Sequence, residues 1–330
     1  MRTVTVRAPI NIAVIKYWGK SDEQLILPCN DSISMTIDSP NLITETTVVA
    51  DPGLLQDEFV LEGQPEVTMN KRIKKSIEVA RDFALKVPGN EELVTWKLRI
   101  QSKNTVPTAS GLASSASGIA ALSYALIKLY NLDSLFSLSQ LSRIARLGSG
   151  SACRSLFGGL VHWYGECVEE VGQWDGLNGF VVVFDKEKKK VPSTIGMQTT
   201  VQTSSLFQHR ITSVVPERVQ KMLGAIKQHN FEIFAELAMK DSNSFHACCL
   251  DTFPPIAYLT SESMEIISAV HEYNTKIGRT AVGYTFDAGP NAVIFGLDDD
   301  PSAFLNQLNL QNATIIPWKL GQGPQLLHSS

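Results

Sequence analysis

The segment that most constrains this chain is Pro107-Thr108-Ala109-Ser110-Gly111-Leu112-Ala113-Ser114-Ser115-Ala116-Ser117-Gly118. It joins an alternating, strand-like run (Val94 to Ile100) to a long apolar helix predicted from about Ser114 to Tyr130. Apart from Leu112, the residues ahead of the helix are small or hydroxylated, so a ligand can approach the backbone closely. The helix behind the loop offers unpaired N–H groups and the positive end of its dipole. Together these favour an anion, and phosphate above others. Ser114 and Ser115 add hydroxyls suited to phosphate or to a phosphate-bound magnesium ion. An ordinary Ser-rich N-cap is the plainer reading of two adjacent serines, but it does not explain the rest of the stretch.

An anionic ligand needs local basic residues here, because the chain as a whole carries a net charge of −4. That balance gives no general drive toward nucleic acid or an anionic membrane. With 330 residues, 44% hydrophobic and 19% charged, the chain reads as a soluble globular protein of two lobes. The five cysteines include no CxxC pair and suit a reducing compartment. The six histidines show no zinc-ligand spacing. No apolar run reaches spanning length, and the N-terminus does not read as a signal peptide.

Thr3 to Ala8 alternates as a strand and runs into Ala8-Pro9-Ile10-Asn11-Ile12-Ala13-Val14-Ile15-Lys16-Tyr17-Trp18-Gly19-Lys20. Lys16 and Lys20 suit phosphate, with Tyr17 and Trp18 as a wall; alone, a solvated lysine pair beside a core aromatic explains them better. Strands follow over Ser32 to Asp38, Ile43 to Ala50 and Asp57 to Leu61. Asn70 caps an amphipathic helix reaching Lys86, with Arg72 on its solvated face. A helix from Leu138 to Leu147 precedes Gly148-Ser149-Gly150-Ser151-Ala152-Cys153-Arg154-Ser155-Leu156-Phe157-Gly158-Gly159. A Gly/Ser loop carrying one arginine suits a carboxylate or phosphate, since guanidinium offers a bidentate fork. Cys153 reads as a small buried residue rather than a nucleophile.

Strands are predicted at Leu160 to Tyr164 and Phe180 to Phe184, then a solvated charged loop over 185–190 that marks a lobe boundary. Pro192 to Met197, with Thr199, Thr200 and Thr203, reads as a hydroxyl-rich connection. Helices follow over Pro216 to Asn230, Phe231 to Leu250 and Ser261 to Asn274; His246-Ala247-Cys248-Cys249 reads as a helical core patch in preference to a metal site. Val282-Gly283-Tyr284-Thr285-Phe286-Asp287-Ala288-Gly289-Pro290-Asn291-Ala292 brings a strand to a Gly-Pro turn with Asp287 at its lip. Taken alone, Asp287 is better explained as an Asx-turn residue than as a catalytic one. A helix over Ser302 to Leu308 and a strand over Ala313 to Pro317 close the second lobe.

Together these stretches resemble the mevalonate diphosphate decarboxylase family of the GHMP kinase superfamily. The phosphate loop is shared across the superfamily; residues 8–20 and 148–159 are narrower and match the decarboxylases, and Asp287 in Phe-Asp-Ala-Gly-Pro-Asn-Ala fits too. The resemblance runs from Ala8 to about Gly296. It implies an α+β, two-lobed GHMP kinase fold with a ribosomal-protein-S5-like N-terminal lobe (1–187) and a ferredoxin-like C-terminal lobe (188–330). The implied reaction converts (R)-mevalonate 5-diphosphate and ATP, with Mg²⁺, to isopentenyl diphosphate, ADP, phosphate and CO2, through phosphorylation of the C3 hydroxyl. This is a step of isoprenoid and sterol biosynthesis.

On the same resemblance Asp287, Lys16 and Arg154 are catalytic. Tyr17, Trp18, Gly19, Lys20, Ser149, Gly150, Ser151, Ala152, Cys153, Arg154 and Thr194 line the substrate pocket, and Arg72 joins them on the resemblance alone. Asn104, Pro107, Ser110, Gly111, Leu112, Ala113, Ser114 and Ser115 hold ATP, with Ser115 toward Mg²⁺. A cytoplasmic homodimer that binds neither nucleic acid nor membrane completes the expectation. Two rivals share the frame: a kinase that stops after phosphorylation, and a catalytically silent homologue.

Overall fold

The computed structural model describes residues 1–63, 69–105, 114–184, 190–308, 310 and 313–330, and backbone alone at 114 and 115. Its first strand, β1 (Arg2–Ile15), changes character halfway. Up to Ala8 buried residues alternate with partly exposed ones; beyond Ala8 every residue is buried. The pairing explains the change. After a short hairpin of β2 (Lys20–Asp22) and β3 (Leu27–Pro28), β4 (Ser32–Asp38) returns antiparallel along Ile10 to Ile15. β5 (Ile43–Asp51) returns along Arg2 to Pro9. The first half of β1 belongs to a sheet with one open face, and the second half is covered on both.

The first lobe adds β6 (Glu58–Leu61), α1 (Lys71–Ala84) and β7 (Lys97–Asn104), with β7 antiparallel to β5 and parallel to β6. Asn70 Oδ1 accepts from the N–H groups of Arg72 and Ile73, both at 3.0 Å, which fixes where α1 starts. Such a cap contributes about 1 kcal/mol. α2 (Ser114–Leu129) and α3 (Leu138–Gly148) join α1 over the sheet. Val4, Val6, Val48 and Ile100 meet Ile73, Ile77, Leu122, Leu126 and Ile144 in one core.

A 3₁₀ turn (Gly150–Leu156) leads to β8 (Leu160–Tyr164), β9 (Cys167–Gly172) and β10 (Leu177–Val183). The second lobe then brings α4 (Ser193–Thr203), α5 (Ser205–His209), a π-type turn (Arg210–Val214), α6 (Val215–Lys227), α7 (Phe231–Asp251) and α8 (Ser261–Ile277). It closes with β11 (Val282–Phe286), β12 (Ala292–Leu297), α9 (Asp300–Leu305), β13 (Thr314–Leu320) and β14 (Gln325–Ser329). The strands pair in the order β11-β12-β10-β13-β4-β1-β5-β7-β6, with β14 also on β1 and β8 on β4. β13 makes the join to β4 through Lys319–Asp38 and Leu320–Ile37. β10 lies before the division expected at 187/188, yet it pairs with β12 and β13, which come after it.

The structure departs from the sequence expectations in places. The strand expected over Val94 to Ile100 starts at Lys97, because Leu93–Thr95 forms a 3₁₀ turn closed by Trp96 N–H to the Leu93 carbonyl. The expected connection at Pro192 to Thr203 is helix α4. Its threonines do not break it, since Thr199, Thr200 and Thr203 each donate to the carbonyl four residues back. The phosphate loop expected at residues 107–113 lies outside the described residues.

Candidate active site

Lys16 directly follows β1, and Asp287 directly follows β11. Four strands separate β1 from β11 in the pairing order, yet Thr285 Oγ1 donates to the Ala13 carbonyl at 3.2 Å and brings the two strand ends together. There Lys16 Nζ donates to Asp287 Oδ1 at 2.7 Å. Lys16 is buried, and burial pulls its ammonium below the ordinary lysine range; the charge of Asp287 and a hydrogen bond to it work the other way.

Arg154 comes to the same place from the 3₁₀ turn and is 4% exposed. Its Nε donates to Asn11 Oδ1 at 3.0 Å and its Nη1 to Ser32 Oγ at 2.9 Å. Its guanidinium lies 5.9 Å from the Trp163 ring centroid. Burial lowers its pKa, and the charge of Asp287 is among the influences raising it. A guanidinium remains charged throughout the working range. Asn11 in turn donates to Thr36 Oγ1 at 3.1 Å, so the arginine is set by a chain of bonds within the β1–β4 pair. Among the described residues nothing bonds Arg154 Nη2.

The other expected substrate residues take distinct places. Tyr17 packs against Trp163, with ring centroids 4.6 Å apart, and burial raises its phenol pKa. Trp18 does not stand beside it as a wall. Its indole turns into the second lobe, donates to Thr200 Oγ1 at 3.0 Å and packs on Phe245 and Tyr258. Gly19 has a positive φ of 79°, and its carbonyl accepts from Cys29 N–H. Lys20 pairs with Glu23 at 2.6 Å.

Ser149 closes α3, and Gly150 is where a Cβ would stand 2.8 Å from the Tyr17 hydroxyl. Ser151 is half-buried and Ala152 buried in the same turn. Cys153 donates to the Gly150 carbonyl, and burial pushes its thiol to about 12, so it is no thiolate nucleophile. Arg72 Nη2 donates to Thr194 Oγ1 at 3.0 Å, linking the start of α1 to the start of α4.

At the start of α2, Thr44 Oγ1 donates to Asn104 Oδ1 at 2.7 Å and accepts from Ser117 Oγ at 2.7 Å, which ties Asn104 to the first turn of that helix. That turn carries no acidic residue, so no carboxylate offsets the positive end of the helix dipole there. Ser114 and Ser115 begin α2. Pro107, Ser110, Gly111, Leu112 and Ala113 fall outside the described residues.

Asp241, Arg210 and Asn30 carried no signal in the sequence, whereas His246, Cys248 and Cys249 form the helical core patch read there. Asp241 and Arg210 are buried beneath Lys16. Asn30 donates to the Lys16 carbonyl at 3.0 Å. His246 packs on Phe245 within the α7 core face that also contains Cys248 and Cys249. Burial, aided by the Lys16 charge, depresses its imidazole to about 3, and among the described residues its buried Nε2 has no hydrogen-bond partner.

Solved structures place this architecture. One of a mevalonate 5-diphosphate decarboxylase superposes with a TM-score of 0.91 at 39% identity, over 100% of this chain and 98% of its own. Another, of MDDEF in complex with MVAPP, AMPPCP and magnesium, does so with a TM-score of 0.82 at 33% identity, over 99% of each chain. The fold is the two-lobed α+β fold of the GHMP type. The diphosphomevalonate decarboxylase-like N-terminal domain matches residues 8–170, and the mevalonate 5-diphosphate decarboxylase C-terminal domain matches residues 179–325. The diphosphomevalonate decarboxylase of Schizosaccharomyces pombe is 46% identical over 99% of this chain and 87% of its own length. The chain belongs to the diphosphomevalonate decarboxylase family.

Proposed function

We propose that this chain is an enzyme that decarboxylates (R)-mevalonate 5-diphosphate at the expense of ATP, giving isopentenyl diphosphate, ADP, phosphate and CO2. The observation that carries the reading is the pair of buried Lys16 and half-buried Asp287, electrostatically coupled to Arg154, on a family member's fold. A relative solved with MVAPP, AMPPCP and magnesium supports the same ligand set.

Asp287 faces the C3 hydroxyl and orients it for in-line attack on the γ-phosphate of ATP, accepting its proton as the new P–O bond forms. A carboxylate is a weak base toward an alcohol, so placement contributes more than basicity. Lys16, held at 2.7 Å, fixes that carboxylate and sets positive charge beside the phosphoryl group in flight. When the 3-phosphate departs, positive charge grows at C3, and the C–CO2 bond supplies its electrons to the new double bond. Arg154 holds the substrate carboxylate until it leaves as neutral CO2, with Nη2 the nitrogen available because Nε and Nη1 are engaged by Asn11 and Ser32.

Arg72, Thr194, Lys20 and the 149–153 turn bind the diphosphate end, while Tyr17 and Gly19 shape the wall. The N-terminus of α2, with Asn104 and the loop before it, receives the ATP phosphates. Ser115 is the residue proposed to hold Mg²⁺, which when bound would neutralise charge on those phosphates. The reading includes lobes divided at 187/188, a homodimer and a cytoplasmic location. All five cysteines are free, as a reducing compartment requires. No helix among the described residues is long and apolar enough to cross a membrane. Sedimentation and cell fractionation test the assembly and the location.

The test of the activity follows ADP, phosphate and isopentenyl diphosphate together in one mixture of protein, ATP, Mg²⁺ and mevalonate 5-diphosphate. Equal release of all three is expected. ADP with a stable phosphorylated product would make the protein a kinase.

A further inference from the structure

Asp241 sits inside α7 with none of its side chain exposed. A carboxylate at that depth needs strong partners, and it has three. Its Oδ2 accepts from the Lys16 backbone N–H at 2.7 Å and from Arg210 Nη2 at 2.7 Å. Its Oδ1 accepts from Arg218 Nη1 at 3.1 Å. Arg210, 1% exposed, also reaches the Lys16 carbonyl at 3.5 Å and bonds Ser244 Oγ at 3.0 Å. Asn30 holds the same carbonyl from the other side of the sequence. The main chain of Lys16 is thus gripped at both its N–H and its C=O by side chains from α7, the π-type turn and the loop before β4.

The neighbouring helix residue works on the other half of the pair. Ser242 Oγ accepts the N–H of Phe286 at 3.0 Å, one residue before Asp287. Two consecutive residues of α7 therefore anchor the two strand ends whose side chains meet as Lys16 and Asp287. A buried ion cluster of this kind adds little net stability over apolar packing, because desolvation offsets the attraction. Its geometry, aimed at one peptide of the site, is what needs explaining.

We infer that Asp241 is a positioning residue: it fixes the main chain of Lys16 so that the ε-ammonium meets Asp287, and its charge, moderated by Arg210 and Arg218, supports that buried cation. The inference rests on the role proposed above for Lys16. The charged and titratable groups around the Lys16 side chain are Asp287 from the β11–β12 turn, Arg154 from the 3₁₀ turn, and Asp241 and His246 from α7, with Arg210 and Arg218 acting through Asp241. Asp241 is among the groups favouring the charged form of Lys16.

The test is the titration of Lys16 Nζ, followed by NMR of the full-length protein labelled at lysine, alongside the pH profile of kcat. Asp241→Asn removes the anion and should move the Lys16 titration, and the alkaline limb of kcat with it, down by about one pH unit. It should also lower kcat roughly tenfold or more while leaving KM for ATP within about twofold. Arg218→Gln leaves Asp241 less neutralised and should move the same titration up. Opposite shifts are not produced by general loosening of the fold. Unchanged titrations, or shifts in the same direction, would overturn the inference. If Asp241→Asn fails to fold, Arg218→Gln decides alone: an upward shift supports the role, and no shift overturns it. If the wild-type protein releases no isopentenyl diphosphate, the proposed activity fails, while the titrations still decide what Asp241 does to Lys16.

Discussion

Lys16 Nζ lies 2.7 Å from Asp287 Oδ1, and the cation is the deeper partner, with 3% of its side chain exposed against 30% for the anion. The carboxylate is thus the partner of the pair that reaches the surface. Asp287→Asn keeps the shape but removes the charge and the proton acceptor. It should lower kcat by about 10²–10⁴-fold and leave nucleotide affinity nearly unchanged. Steady-state kinetics with calorimetry of ATP binding checks this; a variant within a few-fold of wild type would rule out the assigned role.

Arg154 is held by two side-chain acceptors inside the β1–β4 pair. Arg154→Ala removes the partner proposed for the substrate carboxylate and also strips Asn11 Oδ1 and Ser32 Oγ of their donor. We expect kcat/KM to fall by at least about 10²-fold, with a loss of about 1–3 kcal/mol in stability from the buried acceptors left unpaired. Arg154→Lys should restore charge without the fork and recover little of either. Denaturant unfolding and substrate kinetics on both variants separate the two effects.

The pieces of the site that were legible in the sequence are those whose residue types are unusual for their local setting. Arg154 in a Gly/Ser turn suited an anion by itself, while Lys16 and Asp287 read alone as a solvated lysine and an Asx-turn residue and took roles only from the family resemblance. Asn70 was readable as a cap because capping is local: its partners are Arg72 and Ile73. Asp241 was not readable. It lies on a helix with ordinary periodicity, and its partners Lys16, Arg210 and Arg218 are brought to it only by tertiary folding. Trp18 was ambiguous for the same reason, since the core that claims it comes from Thr200, Phe245 and Tyr258. Helix α4 was hidden by its threonines, whose hydroxyls bond back along the helix. The joining of the lobes through β13 and β4 is a pairing that strand patterns alone cannot specify.

His246 is neutral in the fold, its imidazole held near 3 by burial and by the charge of Lys16. In the unfolded chain a histidine titrates at about 6.5. Between those values the unfolded state takes up a proton that the folded state refuses. The contribution of His246 is therefore fully present above about 6.5 and is lost as pH falls toward 3, by on the order of 1.4 kcal/mol per pH unit inside the window. His246→Leu should flatten the acid side of the stability profile. Urea unfolding of both proteins from pH 7 to 4.5 checks it, and parallel profiles would show that His246 is not the group responsible.

Gly19 separates the anchored Trp18 from Lys20 and has φ of 79°, a region that costs a residue with a Cβ roughly 1–2 kcal/mol. A Cβ there would also stand 2.8 Å from Phe207 Cζ, 2.8 Å from Val201 Cγ2 and 3.1 Å from Cys29 Sγ. Trp18 cannot yield easily, because its indole is bonded to Thr200 and wedged against Phe245. The strain should pass instead toward Lys20. Gly19→Ala is expected to destabilise the protein by about 2 kcal/mol or more and to raise KM for the diphosphate substrate, with ATP binding spared. Adding Val201→Ala opens space for the new methyl and should return part of the stability but none of the backbone term. If the double variant were no more stable than the single one, crowding against Val201 would not be a cause, and the loss would belong to the backbone conformation and the remaining contacts with Phe207 and Cys29.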